Sequence, residues 1–522
     1  MTATVGIIVT IVVYLAIMIG IGFFFGKKGE NSAEGFYLGG RKLGPLVAAM
    51  SAEASDMSSY LLMGLPGLAY IAGFSEVSWT AIGLGVGTYL NWLFVAKRLR
   101  RYSNNLGAFT VPDFFSKRYH DRRNVISLIA AIVIIIFFVP YTASGFKAVG
   151  TLFNSLFGVD YHVAMIIGAV VIVGYTVVGG FLAVSTTDLV QSIVMTLALV
   201  VMVFFGVYKA GGWSAVFENA KSLSGYFTLN KAAVLDVQNG HFIAKEATDF
   251  GFFPIVSTLA WGLGYFGMPH ILLRFMAVRD ENEIKTSRRI ASVWVFLSMG
   301  VAILIGVIGN AISNNTNLIA PLFGNSSEET IIIKISDLLA QNGIFAALIA
   351  GLVMAGILAC TMSTADSQLL TAGSAISQNL LRDFLHVKMS EKVAMLIARL
   401  TIVVVAIVAI VLAWNPNSSV FGIVSFAWAG FGAAFGPLML MSLFWKKTTF
   451  AGALAGIVSG GVMVFVWKYA VRPIGGGWNI YELLPAFIVS FVFIIIVSLC
   501  TQKMVTKDII DEFDAVSKKT AK

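Results

Sequence analysis

Long apolar runs alternate with short polar segments along nearly the whole chain. A helix needs about 20 apolar residues to cross the hydrocarbon core of a bilayer, and this pattern predicts about thirteen such spans. Several runs are long enough to be tilted or kinked, with Pro66, Pro140 and Pro269 at the expected kinks. The predicted spans cover about residues 5–25, 44–70, 76–96, 124–152, 162–184, 188–208, 251–275, 290–312, 342–372, 395–414, 420–444, 450–470 and 484–502.

The polar segments between the spans predict the orientation. Cytoplasmic loops carry an excess of Lys and Arg, and most of the 36 such residues fall on one side when the N-terminus is placed outside. We therefore expect a single transmembrane domain over residues 1–502, N-out and C-in, followed by a cytoplasmic tail at 503–522. The first apolar run has no basic region before it and no cleavage site, so it is interpreted as a retained span. A multi-pass protein of the plasma membrane, such as a bacterial inner membrane, is expected.

Composition excludes most other classes of protein. The chain is 58% hydrophobic and 12% charged, with a mean hydropathy of +0.85, which is too apolar for a soluble protein of this length. A net charge of +9 without a basic stripe interleaved with aromatics reflects topology and argues against nucleic-acid binding. Cys360 and Cys500 lie far apart in apolar runs, so neither a disulfide framework nor a CxxC site is expected. His270 is the one histidine of five in the interior of a predicted span, so we expect no haem or zinc enzyme and no organic cofactor.

Asp56 lies at membrane depth in the segment SAEASDMSSYLLMGLPG. A carboxylate there costs several kcal/mol unless it faces a protein interior, a water-filled path or a cation. Hydroxyl residues surround it, and Gly64, Pro66 and Gly67 follow within about three turns. Such a segment can leave helical geometry and turn carbonyl oxygens toward an ion, as the broken helices of secondary transporters do. The segment therefore favours a transport function.

A second polar cluster lies in AGILACTMSTADSQLLTAGSAIS. Ser363, Asp366 and Ser367 share one helical face, with Thr364 beside them. Hydroxyl and carboxylate oxygens are the ligands that hard cations such as Na⁺ prefer. The alternative is that these hydroxyls bond back to carbonyls of their own helix or pack against small faces of neighbouring helices.

A third element, STLAWGLGYFGMPHILLRFMA, carries Trp261, Tyr265 and Met268 on one helical stripe among several glycines. Pro269 removes a backbone donor and so frees a carbonyl near Tyr265 for a ligand. Core packing is the alternative explanation of the stripe.

The sequence leaves the roles of two further charged residues undecided. Asp188, preceded by three hydroxyl residues, either caps the sixth span or ligates an ion. Lys147 either extends to the membrane interface or meets an acid.

These motifs, together with NWLFVAKRLRRYSNNLGAFTVPDFFSKRYHD and VVGGFLAVSTTDLVQ, closely resemble the sodium:solute symporter family, and within it the sodium/proline symporters. The likeness runs from about residue 5 to about residue 500. It implies an all-α, LeuT-like fold of two inverted five-helix repeats, formed by spans 2–6 and 7–11. No repeat is visible in the sequence itself, since inverted repeats often leave little sequence trace.

The resemblance also implies binding residues. A Na⁺ site would consist of the carbonyls of Ala54, Met57 and Cys360 and the hydroxyls of Ser363 and Thr364, with Asp56 organising the site. Cys360 replaces a small alanine or serine, which a carbonyl ligand tolerates. The implied proline-site residues are Ser58, Tyr141, Trp261, Tyr265 and Pro269. A second Na⁺ site, present in some relatives with other substrates, would use Asp188, Ser363, Asp366 and Ser367.

The expected function is Na⁺-coupled uptake of L-proline by alternating access. The alternatives within transport are another solute (a different amino acid, a betaine or a carboxylate) and coupling to protons instead of Na⁺. A membrane sensor would need a cytoplasmic signalling domain, for which the tail is too short, and a channel would need a selectivity filter sequence.

Overall fold

The computed structural model describes residues 2–28 and 32–517, and it is mostly helical. Within these residues, nine helices are long and apolar enough to cross a membrane. They are Ala3–Phe25, Val125–Phe157, Tyr161–Ala210, Ile284–Asn315, Ile344–Phe384, Glu391–Leu412, Val420–Phe444, Phe450–Ile474 and Leu483–Cys500.

The helices of the N-terminal half follow the predicted spans, with short helices in the connections. They are α1 (Thr2–Lys28), α2 (Ala33–Leu38), α3 (Pro45–Ser59), α4 (Leu65–Ala72), α5 (Ser75–Leu90), α6 (Lys97–Asn105), α7 (Val111–Arg118), α8 (Val125–Phe157), α9 (Tyr161–Ala210) and α10 (Trp213–Ser222). A π-helical segment, Asn91–Ala96, joins α5 to α6.

The C-terminal half continues in the same way. Its helices are α11 (Phe252–Leu259), α12 (Pro269–Ala277), α13 (Ile284–Asn315), α14 (Ile331–Ala340), α15 (Ile344–Ser374), α16 (Glu391–Leu412), α17 (Val420–Phe444), α18 (Phe450–Val466), α19 (Leu483–Cys500) and α20 (Lys507–Ser517). π-Helical segments Ala375–Phe384 and Trp467–Val471 extend α15 and α18. The 3-10 turns are Gly39–Arg41, Ser327–Thr330, Arg472–Ile474, Gly476–Trp478 and Gln502–Met504.

The second predicted span is a broken helix. Ser58 has φ 49° and ψ −171°, a conformation that interrupts α3, and a π-helical segment, Tyr60–Gly64, separates it from α4. The interruption therefore lies eight residues before Pro66, where the sequence placed the kink. Pro66 instead sits in the first turn of α4, directly after the π-helical segment.

The seventh predicted span is also broken, and here the proline marks the place. A 3-10 segment, Ala260–Gly267, follows α11, Met268 is extended (ψ 109°), and Pro269 begins α12. Glycines let this segment approach α5 closely, because a Cβ on Gly262 would lie 2.1 Å from the carbonyl oxygen of Gly83.

The fifth and sixth spans meet earlier than predicted. Gly180, with φ 65° and ψ −177°, interrupts α9, so the expected connection at residues 185–187 is wrong. Glycine adopts this positive φ without the steric cost that a Cβ would bring. Asp188 consequently lies inside the second part of α9 and does not cap it. Pro140, a third predicted kink, lies inside α8 without a non-helical residue.

The two long polar segments assigned to the outside contain short elements. Residues 223–251 hold two antiparallel pairs, β1 (Lys231–Ala232) with β4 (Thr248–Asp249) and β2 (Leu235–Gln238) with β3 (His241–Ala244). The registers pair Lys231 with Asp249 and Leu235 with Ala244. The segment at 314–340 ends in α14, whose apolar face is buried. In the predicted tail, α20 is described to Ser517, and residues 518–522 lie outside the described part.

The core is built around α15, which packs against α1, α3, α8 and α9 and is buried along nearly its whole length. A second group consists of α17, α18 and α19, with α17 also contacting α8 and the 3-10 segment of the seventh span. The broken helices lie between these two groups, which brings their interruptions into the interior.

Candidate functional site

Asp56 is buried at the interruption of α3, with 6% of its surface exposed. The hydroxyl of Tyr265 donates a hydrogen bond to Oδ2 of Asp56, and the hydroxyl of Tyr141 donates to the Asp56 carbonyl at 3.3 Å. The other carboxylate oxygen, Oδ1, has no hydrogen-bond partner among the described residues. A buried oxygen of this kind is costly unless it meets a donor or a cation, so the site offers an unused negative ligand.

Four of the five predicted Na⁺ ligands lie together between α3 and α15. The hydroxyl of Ser363 donates to the carbonyl of Ala54 at 2.8 Å and to the carbonyl of Cys360 at 3.3 Å. Thr364 donates to the same Cys360 carbonyl at 3.1 Å. Two carbonyl and two hydroxyl oxygens therefore lie side by side, which is the donor set that a hard cation prefers.

Met57 and Cys360 contribute differently from these hydroxyls. The Met57 carbonyl accepts the backbone N–H of Tyr60 at the interruption of α3 and so is directed away from the oxygen cluster in its hydrogen bonding. The Cys360 thiol bonds to the carbonyl of Ile357 at 3.2 Å. The thiol thus points back along its own helix and leaves only the Cys360 carbonyl toward the cluster.

An aromatic pocket adjoins Asp56. Trp261 stacks on Tyr60 with ring centroids 5.9 Å apart and on Tyr481 at 5.0 Å. The indole N–H of Trp428 donates to the Trp261 carbonyl at 2.8 Å and its ring meets Tyr265 edge-on. A small cavity remains, lined by Asp56, Met57, Tyr60, Leu84, Tyr141, Trp261, Met299, Val424 and Trp428.

The volume of this cavity that the centre of a water molecule can occupy is about 10 Å³. This is room for about one water molecule. The pocket is therefore closed down in this conformation, and its walls must move apart to admit a solute the size of an amino acid.

Three of the five predicted substrate residues do not line this cavity. Tyr265 lies behind its wall, in contact with Asp56 and Trp428, and the other two lie farther away. The Ser58 hydroxyl accepts the N–H of Tyr60 at 3.2 Å and lines a separate hydroxyl-rich space shared with Tyr141 and Thr364. Pro269 is buried at the start of α12 and is not among the residues that line either space. Tyr141 is the residue that borders both.

The residues of the predicted second Na⁺ site surround an arginine. Arg274, on α12, forms an ion pair with Asp188 at 3.1 Å, and both side chains are almost fully buried. The guanidinium also donates to Ser51 at 3.0 Å and to Ser367 at 2.6 Å. Asp366 accepts from Ser367 at 3.2 Å and from Tyr175. A guanidinium thus supplies the positive charge here, and the second Na⁺ site stays a prediction that requires Arg274 to leave Asp188.

Sequence reasoning assigned no role to Arg274 or Glu53 and left the role of Lys147 open. Arg274 lies in the apolar end of the third motif, STLAWGLGYFGMPHILLRFMA, and its charge at membrane depth was the available signal. Glu53 accepts the indole N–H of Trp92 at 3.0 Å, and its other oxygen lacks a described partner. Lys147 pairs with Glu329 at 3.4 Å, which decides between its two open interpretations in favour of an acid.

Comparisons with known proteins give the family of the chain. A model of the sodium:solute symporter family matches residues 36–460. The sodium/proline symporter of Salmonella typhimurium (strain LT2) is 43% identical over 494 residues, which cover 94% of this chain and 92% of the relative. The sodium/proline symporter of Staphylococcus aureus (strain USA300) is 39% identical over 504 residues, covering 95% and 93%.

Solved structures share the fold. A Na⁺-coupled sialic acid symporter in a substrate-bound outward-open state has a TM-score of 0.76 at 19% identity, covering 96% of this chain and 98% of that one. A nucleobase-cation-symport-1 family transporter in a closed conformation has a TM-score of 0.55 at 13% identity, covering 92% and 98%. At these identities the likeness shows the fold alone. The family model and the two bacterial relatives, which match nearly the whole chain, show that this protein belongs to the sodium:solute symporter family.

Proposed function

We propose that this protein takes up L-proline together with Na⁺ by alternating access. The observation that carries the proposal is that the interrupted helix α3 contributes to both the oxygen cluster and the aromatic pocket. Its Ala54 carbonyl belongs to the oxygen cluster with Ser363, and two residues later Asp56 borders the aromatic pocket. Sodium/proline symporters among the relatives support proline as the solute.

The segment of α3 from Ala54 to Asp56 offers a physical route by which Na⁺ binding and proline binding are coupled. A Na⁺ ion held by the Ala54 and Cys360 carbonyls and the hydroxyls of Ser363 and Thr364 would fix the backbone that precedes Asp56. That backbone also positions one wall of the pocket, so each ligand would raise the affinity for the other by the same factor.

The pocket has suitable chemistry for an imino acid. The rings of Trp261 and Tyr60 offer apolar walls to a pyrrolidine ring. The charged ends of the amino acid would be met by the backbone dipoles at the helix interruptions. Ser58, Tyr141, Tyr265 and Pro269 remain part of the proposed proline site, although the pocket must open to bring Ser58 and Pro269 into contact with a solute.

The proposal includes a membrane topology. The nine apolar helices become ten when α9 is divided at Gly180, and the segments at 45–72, 75–105 and 252–277 complete thirteen spans. We place the N-terminus outside and the C-terminus in the cytoplasm of a bacterial cell. Spans 2–6 and 7–11 form the two inverted repeats, which is supported by the interruption of the first span of each.

The test is uptake of labelled L-proline by proteoliposomes with and without an inward Na⁺ gradient. Accumulation that needs Na⁺ and is lost in Trp261→Ala supports both substrate and ion. Uptake that persists when choline replaces Na⁺ at constant pH contradicts Na⁺ coupling and favours protons. Absence of proline uptake, with uptake of another amino acid, a betaine or a carboxylate, contradicts the choice of solute.

A further inference from the structure

An apolar cavity of about 220 Å³ lies between α1, α8, the first part of α9 and α15, on the side of α15 away from the broken helices. All the residues that line it are apolar. Apolar cavities of about 150 Å³ stay dry and bind hydrocarbons, because water finds no hydrogen-bond partners in them. The chemistry of the walls therefore selects a hydrocarbon and excludes water, ions and the polar solute of the transport site.

The cavity runs from the outer surface of the helix bundle to its core. At the rim, Val159 and Ile167 are 38% and 59% exposed. At the floor, Leu358 and Met362 are 3% and 1% exposed and lie one turn apart on α15. In a membrane-spanning bundle, the exposed apolar rim faces lipid, so the cavity is a continuation of the lipid-facing surface into the protein.

The position near the α8–α9 turn makes the cavity reachable from one leaflet. The wall residues Val149 and Phe153 belong to the last turns of α8, and Val159 belongs to the turn itself. A phospholipid whose headgroup stays at the membrane surface beside this turn can place an acyl chain inward along the cavity, as the chains of that leaflet already point toward the bilayer centre.

We propose that this cavity binds one acyl chain of a membrane phospholipid, whose end contacts Leu358 and Met362 of α15. The bound chain fills the space between the helices and packs behind the part of α15 that carries Ser363 and Thr364. The inference concerns lipid binding and does not rest on which solute the protein transports.

The decisive experiment is photolabelling of the purified protein in liposomes of phosphatidylethanolamine and phosphatidylglycerol. The probe is phosphatidylglycerol with a diazirine near the end of one acyl chain, and adducts are mapped by mass spectrometry. We expect adducts on Leu358 or Met362 as well as on the rim, because a chain inside the cavity reaches the floor. Labelling confined to rim residues such as Ile167 would overturn the proposal.

Two variants fill the cavity from opposite walls, Ala164→Trp on α9 and Leu15→Trp on α1. Val170→Trp is the matched control, since Val170 lies on the same helix as Ala164 but is 64% exposed and outside the cavity. We expect floor labelling to fall at least fivefold in either filled variant and to stay unchanged in the control. Floor labelling equal to wild type in a correctly folded filled variant contradicts the proposal, and either variant alone suffices for this comparison.

Discussion

At the scale of single residues, the two carboxylate oxygens of Asp56 differ in their hydrogen bonding. One oxygen accepts the Tyr265 hydroxyl, and the other is buried without a described partner. The interruption at Ser58 follows two residues later, so a change in the charge of Asp56 acts directly on the backbone that separates the oxygen cluster from the pocket.

Asp56→Asn is expected to remove most of the Na⁺ stimulation of proline uptake. The amide keeps the size of the side chain but loses the charge that favours a nearby cation. We expect the Na⁺ concentration for half-maximal uptake to rise at least tenfold, which is measured in proteoliposomes. Asp249→Asn, an exposed position in β4, is the control. Unchanged Na⁺ dependence in Asp56→Asn would remove Asp56 from the coupling role.

Substitutions of the side chains around the oxygen cluster are expected to change the Na⁺ dependence of uptake to different extents. Ser363→Ala and Thr364→Ala each delete a ligand oxygen and should raise the half-saturating Na⁺ concentration by an order of magnitude or more, if a hydrogen-bond-like contact to a charge contributes about 1.5–3 kcal/mol. Cys360→Ala should stay within about twofold of wild type, because the thiol bonds to Ile357 and only the carbonyl faces the cluster. A large loss of Na⁺ affinity in Cys360→Ala would show that the thiol itself takes part.

At the scale of elements, buried polar contacts and close glycine packing hold the broken helices in place. Arg274 of α12 joins Asp188 of α9, Ser51 of α3 and Ser367 of α15. Its guanidinium also lies over the ring of Phe181, at 5.1 Å from the centroid. Four elements therefore share one side chain, at a place where no solvent can replace its hydrogen bonds.

Removal of Arg274 should destabilise the protein strongly. Arg274→Ala leaves Asp188 as a buried, unpaired carboxylate, and breaking a buried pair in this way costs about 3–5 kcal/mol. The double variant Asp188→Asn with Arg274→Gln removes both charges and should recover part of the lost stability. The midpoint of thermal unfolding in detergent, compared across Asp188→Asn, Arg274→Gln and the double variant, measures the coupling. Equal stability of Arg274→Ala and wild type would contradict the structural role of the ion pair.

A substitution at Gly262 tests how closely the seventh span approaches α5. Gly262→Ala places a methyl group 2.1 Å from the Gly83 carbonyl oxygen, so the 3-10 segment must shift, at a cost of about 1–3 kcal/mol. We expect a lower unfolding midpoint together with weaker proline binding, since Trp261 precedes this glycine. Gly300→Ala is the matched control, because nothing lies within 4 Å of its added Cβ. Similar behaviour of the two variants would mean that the packing is looser than described.

At the scale of the whole molecule, orientation is the property to test. In a background of Cys360→Ala and Cys500→Ser, a cysteine at Glu246 in the outer segment should react with a membrane-impermeant maleimide on intact cells. A cysteine at Lys285, at the start of α13, should react only after the membrane is permeabilised. Both positions are exposed. The opposite pattern would invert the proposed topology.

The apolar runs predict helices close to those observed, since span length is set by bilayer thickness and needs no tertiary contact. Local rules also located the break at Pro269. They misplaced the breaks at Ser58 and Gly180, because neither residue has an obligatory local signal, and the surrounding helices decide where the chain departs from helical geometry.

The sequence by itself determined a helical membrane protein and the likeness to its family, and it pointed to Asp56, Ser363, Thr364 and Trp261 as residues of interest. These properties follow from side-chain chemistry and spacing, which are readable along one chain. The tertiary structure decided which oxygens meet, as in the contact of Ser363 with Ala54. It also decided that Arg274 is the cation beside Asp188 and that Lys147 meets Glu329, because pairing between distant helices depends on how they pack.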